Sequence, residues 1–168
     1  MSTNIASVRQ FSQEIVKRAL EYLGAYSKEA HILVLGTALT ESELQYLRQI
    51  GGGPALGYFQ MEPDTEQDIW ENFLRHRKSL FKKVTDIIIP AMDIEQQLAF
   101  NPIYAACMCR IHYLRVKEPI PDADDTLALS RYWKDHYNTR NGSGSVDKAY
   151  KHFLMAHGVV TGNYRAAE

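Results

Sequence analysis

The residues best placed to do chemistry stand at the end of an apolar run. His31 to Leu39 is apolar on nearly every side, and the sequence then turns abruptly to Thr40-Glu41-Ser42-Glu43. A helix that is apolar all round lies deep in a core, and a carboxyl at its end is drawn against apolar neighbours. Burial disfavours the ionised form, so such a carboxyl stays protonated towards neutral pH and can serve as a general acid. Glu41, seven residues after Val34 and three after Ala38, falls on the buried stripe, whereas Glu43 reads as solvated. Taken alone, the pattern also fits a polar residue at a fraying helix end. Beyond it, Gly51, Gly52, Gly53 and Pro54 break any helix and lead into a short aromatic segment carrying Tyr58 and Gln60.

Two joined segments carry a family resemblance. Leu33-Val34-Leu35-Gly36-Thr37-Ala38-Leu39-Thr40-Glu41-Ser42, followed by Gly53-Pro54-Ala55-Leu56-Gly57-Tyr58-Phe59-Gln60-Met61-Glu62-Pro63, resembles the soluble lytic transglycosylase and goose-type lysozyme group. Members of that group show an apolar helix ending in Glu-Ser and then a Gly-Ala-x-Gly segment with a following Gln and Pro. Pro54 beside Ala55, and Tyr58-Phe59 in place of the usual Leu-Met, depart from the pattern. The group's later Ala-Tyr-Asn-Ala-Gly segment has its nearest match at His136-Tyr137-Asn138-Thr139, with Gly142, Gly144 and Val146 beyond, and Tyr132 offers a competing alignment.

The resemblance implies a mainly α, lysozyme-like domain with a glycine-rich loop beside its cleft, and a peptidoglycan-cleaving muramidase. Glu41 would protonate the glycosidic oxygen between N-acetylmuramic acid and N-acetylglucosamine. In a lytic transglycosylase the same residue then takes the C6 hydroxyl proton and closes a 1,6-anhydro ring. Hydrolysis would need a further acid, for which Glu62, Asp64 and Asp93 are available. Ser42 would orient Glu41 or contact substrate, Gln60 would hydrogen-bond a sugar or acetamido group, and Tyr137 would hold the Glu41 carboxyl. Tyr58 would offer a ring for sugar stacking, Asn138 would bind substrate, and Gly57 with Gly51 to Gly53 would let the backbone approach the glycan. The other reading is a catalytically silent glycan-binding or phage virion structural protein on the same scaffold.

The elements that position these residues read as almost entirely helical, because apolar residues recur at three and four spacing and no run alternates with period two. Helices are expected from Ser7 to Leu23, from Lys28 to Leu47, from Pro63 with Asp64 as N-cap, around Leu80 to Ile88, and from Asn101-Pro102 through Leu114. Residues 48–63 form a long ordered loop with room for a small β-hairpin. Asp124 or Asp125 caps a helix through Trp133, a loop follows from Tyr137 to Gly144, and Ser145 caps a last helix stopping near Gly158. Residues 161–168 read as a frayed tail.

At 168 residues with 45% hydrophobic content the chain suits one domain with a sizeable core, and a net charge of −1 excludes the basic surface of a typical nucleic-acid binder. No apolar stretch approaches the roughly 20 residues of a membrane-spanning helix, so no membrane insertion is expected. Met1 to Ile5 shows no basic stretch followed by an apolar one, which predicts synthesis in a host cytoplasm without a signal peptide. Action on the periplasmic wall or residence in a virion would then depend on a phage particle or lysis cassette. Six histidines lack metal-ligand spacing, and Cys107 and Cys109 read as packing thiols, so no metal or cofactor is expected. The Arg75-His76-Arg77-Lys78 and Lys82-Lys83 clusters make a local basic patch.

Overall fold

Asn4 opens the first helical stretch by accepting the Ala6 N–H at 2.9 Å, and Gly24, at a φ of 70°, closes it. Between them run α1 (Ile5–Gln10), a π-helical segment (Phe11–Lys17) and α2 (Arg18–Leu23), which turn Val8, Val16, Ala19 and Leu20 inward. The computed structural model describes residues 4–138 and 144–164, and these are mainly helical, with no strand among them.

Ser27 caps α3 (Lys28–Ser42) through the Ala30 N–H. Every residue from Ala30 to Leu39 is buried, as an all-round apolar helix requires. The helix packs most extensively on α9 (Val146–Thr161), where Gly36 lets the two axes close up: a Cβ there would stand 2.7 Å from the Phe153 ring. α3 stops at Ser42 rather than running to Leu47, because Glu43 and Leu44 take left-handed φ values of 51° and 57°.

The segment 43–62 that follows is irregular, with two isolated antiparallel bridges, Arg48 to Leu56 and Leu56 to Met61. α4 (Pro63–Asn72) begins with Pro63 in its first turn and Glu62 at the capping position, so Asp64 is not the N-cap: proline's fixed φ already starts the helix one residue earlier. α5 (Lys78–Asp86) follows a short turn. α6 (Ile94–Phe100) is absent from the sequence reading; a reciprocal capping box between Asp93 and Gln96 starts it.

Asn101 and Pro102 start α7 (Pro102–Leu114) as the sequence indicates, and Asp125 rather than Asp124 caps α8 (Thr126–Trp133). The chain then continues as a π-helical segment, Lys134–Asn138, so Tyr137 and Asn138 sit on a helical turn and not in a loop. Ser145 caps α9, which passes Gly158 and reaches Thr161 before Gly162 turns left-handed at a φ of 76°. Gly158 lacks the side chain that would crowd Tyr164, and its carbonyl accepts the Tyr164 N–H at 2.9 Å. The expected tail is thus tied down as far as Tyr164; residues 165–168, like Thr139 and Gly142 of the third motif, lie outside the described residues. One connected hydrophobic core draws residues from every one of these helices.

Gly57 has a different role from the one its sequence context implies. At a φ of 72° its α-carbon presses on α6, where a Cβ would overlap the Leu98 carbonyl oxygen. The close approach it permits is to the protein's own backbone, and that contact seats the loop. Gly51, at a φ of 89°, has nothing within 4 Å. Gly51→Ala therefore meets only the left-handed penalty, about 1 kcal/mol, whereas Gly57→Ala adds a backbone clash and loses more than about 3 kcal/mol. Urea unfolding of the two variants side by side checks the difference.

Candidate active site

The two-residue left-handed turn at Glu43 and Leu44 exposes the end of α3 to an open cleft of about 760 Å³. One wall is the end of α3 with the loop 43–62, the other is α8 and the π-helical segment after it, and Thr65 of α4 and His112 of α7 close the rest. Glu41, Ser42, Gln60, Tyr137 and Asn138 all line it, so the structure brings together residues from three separate stretches of sequence.

Glu41 is half-buried, and its Oε1 accepts the indole N–H of Trp133 at 2.9 Å. Desolvation pushes its carboxyl up from 4.5 to about 7; the hydrogen bond from Trp133, the nearby Asn138 amide and the charge of Lys134 act against that rise without cancelling it. The negative end of the α3 dipole works in the same direction as burial. At neutral pH the group is therefore divided between acid and carboxylate, the condition for giving a proton and then taking one back.

The other residues fall into two groups. Ser42 is buried, with its hydroxyl 2.7 Å from the Tyr58 carbonyl and 3.1 Å from that of Ala38, and it accepts the Leu44 N–H at 3.2 Å. It ties the loop to the end of α3 and makes no bond to Glu41. Tyr137 does not hold the Glu41 carboxyl either: its hydroxyl donates its one proton to the Phe59 carbonyl at 2.8 Å, which leaves none to give Glu41. Trp133, one helical turn earlier, takes the position that the resemblance assigns to tyrosine. Tyr132 is buried away from the cleft, donating to the Glu118 carbonyl at 2.9 Å, so of the two competing tyrosines only Tyr137 lines the cavity.

Gln60, at a φ of 46°, lines the cleft while its side-chain amide donates to the Gly57 carbonyl at 2.8 Å. Tyr58 is not in the cleft. Its ring packs edge-on against Phe11, with centroids 5.2 Å apart, because the turn that begins at Gly57 sends it towards the first helical stretch. Tyr46, 40% exposed, is an aromatic side chain on the cleft wall instead. Of the three further acids, only Glu62 reaches the cleft, and Asp93 is committed to its capping box.

Sequence reasoning missed Trp133, Tyr46, His112 and His136 as cleft residues. A signal existed for Trp133: it stands four residues before Tyr137, one turn away once 126–138 is read as continuous helix. Glu66 was missed as a buried acid. It lies on the buried face of α4 and accepts from the Trp70 indole at 2.8 Å and from the Tyr104 hydroxyl, joining α4 to α7. Burial raises its carboxyl too, against these two bonds.

Comparison of the chain with protein-family models, with curated proteins and with solved structures gave no match. Among the described residues, no helix is long and apolar enough to cross a membrane.

Holding Glu41 near 7 has a measurable consequence for stability. A carboxyl whose folded value lies above its unfolded one favours folding while protonated, and that contribution disappears as pH rises from about 4.5 through about 7. The difference amounts to about 3 kcal/mol across the window. Glu41→Gln, which cannot ionise, is expected to unfold at a higher temperature than the wild type at pH 8 and at nearly the same temperature at pH 4. Equal stabilities at pH 8 would contradict the assignment.

Proposed function

We propose that this protein cleaves the β-1,4 glycosidic bond between N-acetylmuramic acid and N-acetylglucosamine in peptidoglycan, acting as a lytic transglycosylase on a lysozyme-like scaffold. The observation that carries this reading is Glu41: a carboxyl pushed up to about 7, held by the Trp133 indole N–H and lining an open cleft of about 760 Å³. A cleft of that size suits part of a polymer chain, and its polar lining suits sugars better than an apolar ligand.

Glu41 in its acid form gives its proton to the bridging oxygen, the bond from that oxygen to C1 of the muramic residue breaks, and the leaving sugar departs with a free 4-hydroxyl. The 2-acetamido oxygen of the muramic residue holds the positive charge developing at C1. The Glu41 carboxylate then takes the proton of the C6 hydroxyl as that oxygen bonds to C1, closing the 1,6-anhydro ring and restoring the acid. A single group with a value near neutrality serves both transfers.

Two-carboxylate glycosidases need a second group fixed close to the first. The other carboxylates lining the cleft, Glu43 and Glu62, are both exposed, which favours the one-carboxylate route. A net charge of −1 supplies little long-range attraction to an anionic wall, so delivery by a phage particle or lysis cassette fits the reading.

Incubation with purified murein and mass analysis of the fragments tests the proposal. Products one water lighter than hydrolysis products are expected, released at a rate that falls as pH rises above about 7. Glu41→Gln is expected to lower that rate about 1000-fold. Intact murein beside folded wild-type protein would overturn the reading, and ordinary reducing ends would redirect it to hydrolysis. The aromatic positions separate cleanly as well: Tyr46→Ala is expected to raise KM several-fold at unchanged stability, while Tyr58→Ala lowers stability and leaves KM alone.

A further inference from the structure

Trp133 and Lys134 lie at the junction where α8 becomes π-helical, and both act on Glu41 from there. We infer that they are positioning residues for Glu41, Trp133 by donating to Oε1 and Lys134 by holding the Asn138 amide at the wall of the cleft that Glu41 lines. This deepens the muramidase reading and rests on it for its catalytic meaning.

An indole N–H can only donate, so the oxygen it binds is the carbonyl-like one of the acid form. The proton of Glu41 is thereby left on Oε2. Lys134 likewise can only donate, and its ammonium takes Oδ1 of Asn138 at 2.8 Å. That fixes the amide with its NH₂ turned from Lys134, on the cleft wall that Glu41 also lines, where a nearby N–H favours the carboxylate. Gly144 leaves room for the arrangement: a Cβ there would stand 2.6 Å from the Trp133 ring and 3.1 Å from both polar atoms of the Asn138 amide.

The backbone explains why these side chains converge. Residues five apart on an α-helix point about 140° away from each other, whereas the wider i→i+5 turn returns them to one face. The π-helical segment Lys134–Asn138 follows Trp133 directly and so brings Asn138 round to the side of Trp133.

Several other titratable groups surround Glu41. Cys109 and Tyr113 from α7 and Tyr137 from the π-helical segment interact with it, and burial holds all three well above their ordinary values, so they stay neutral while Glu41 titrates. Glu43, Glu62, His112 and His136 line the same cleft and are untouched by the substitutions below, so their influence is common to wild type and variants.

The test is a carbon-13 NMR titration of the labelled Glu41 carboxyl, identified by its loss in Glu41→Gln, in the wild type, Trp133→Phe and Lys134→Met. Trp133→Phe removes the hydrogen bond to Oε1, and Lys134→Met removes a nearby positive charge together with the hold on the Asn138 amide; each of these interactions favours the carboxylate, so the Glu41 midpoint is expected to move upward in both variants. Turnover of murein is expected to fall about tenfold or more with KM near the wild-type value, since the acid is misplaced while the substrate contacts persist. An unchanged Glu41 midpoint in folded Trp133→Phe would overturn the inference. If that variant does not fold, Lys134→Met, altered at a partly exposed position, decides by the same criterion. If the wild type leaves murein intact, the muramidase reading fails, while the titration still decides whether these residues govern Glu41.

Discussion

Everything about the cleft follows from keeping one carboxyl half out of water at the end of a helix that is buried on all sides. Moving Glu41 from 4.5 to about 7 means that ionising it in the folded protein costs about 3 kcal/mol more than in the unfolded chain. That is a large share of the 5–15 kcal/mol or so by which a domain is stable. The cost is met by α3 itself, whose uninterrupted burial from Ala30 to Leu39 leaves its last turn nowhere else to go. The acid is thus strained electrostatically by the same packing that anchors the fold.

The loop 43–62 is held to this helix end from both sides by hydroxyls that bind consecutive backbone carbonyls. Ser42 reaches the carbonyl of Tyr58, and Tyr137 from the opposite wall reaches that of Phe59. Gly57 presses the next backbone atom against Leu98, so three neighbouring residues of the loop are fixed by three different elements. A loop held in this way presents Gln60 and Met61 to the cleft as part of a rigid wall. Ser42 and Tyr137 then act on any ligand through the position of the wall, since their hydroxyl protons are engaged with the backbone.

What the sequence made legible is local. The apolar run into Glu41, the Asn101-Pro102 start, Ser145 as a cap and Gly24 as a stop each depend on a few adjacent residues, and the structure has them as read. The mainly helical character follows from the same local periodicities. Less legible was the direction of side chains after a backbone reversal. Tyr58 looks towards the cleft in sequence because it lies between Gly57 and Gln60, yet the positive φ at Gly57 sends its ring to Phe11, and Tyr46 faces the cavity instead. Trp133 was hidden for another reason: the glycines at 142 and 144 suggest a loop beginning at Tyr137, and no propensity distinguishes a π-helical turn from a helix that has ended.

That turn is where fold and chemistry meet most closely. A π-helical segment forgoes the better hydrogen-bond geometry of an α-helix and persists where something else compensates for it. Here the compensation is packing and polar contact around the acid: Trp133 is buried to within 1% of its surface, the Tyr137 ring stacks near Tyr113 and His112 at 5.5 and 5.2 Å, and Lys134 binds Asn138 within the turn. Relaxing the segment to α geometry would rotate Asn138 away from the side of Trp133 and take its amide from the neighbourhood of Glu41. The carboxyl would then be opposed by burial with less to balance it, and would stay protonated further into the alkaline range. The irregular turn therefore adds to what Trp133 does in keeping Glu41 near neutrality, where a carboxyl can both release and recover a proton.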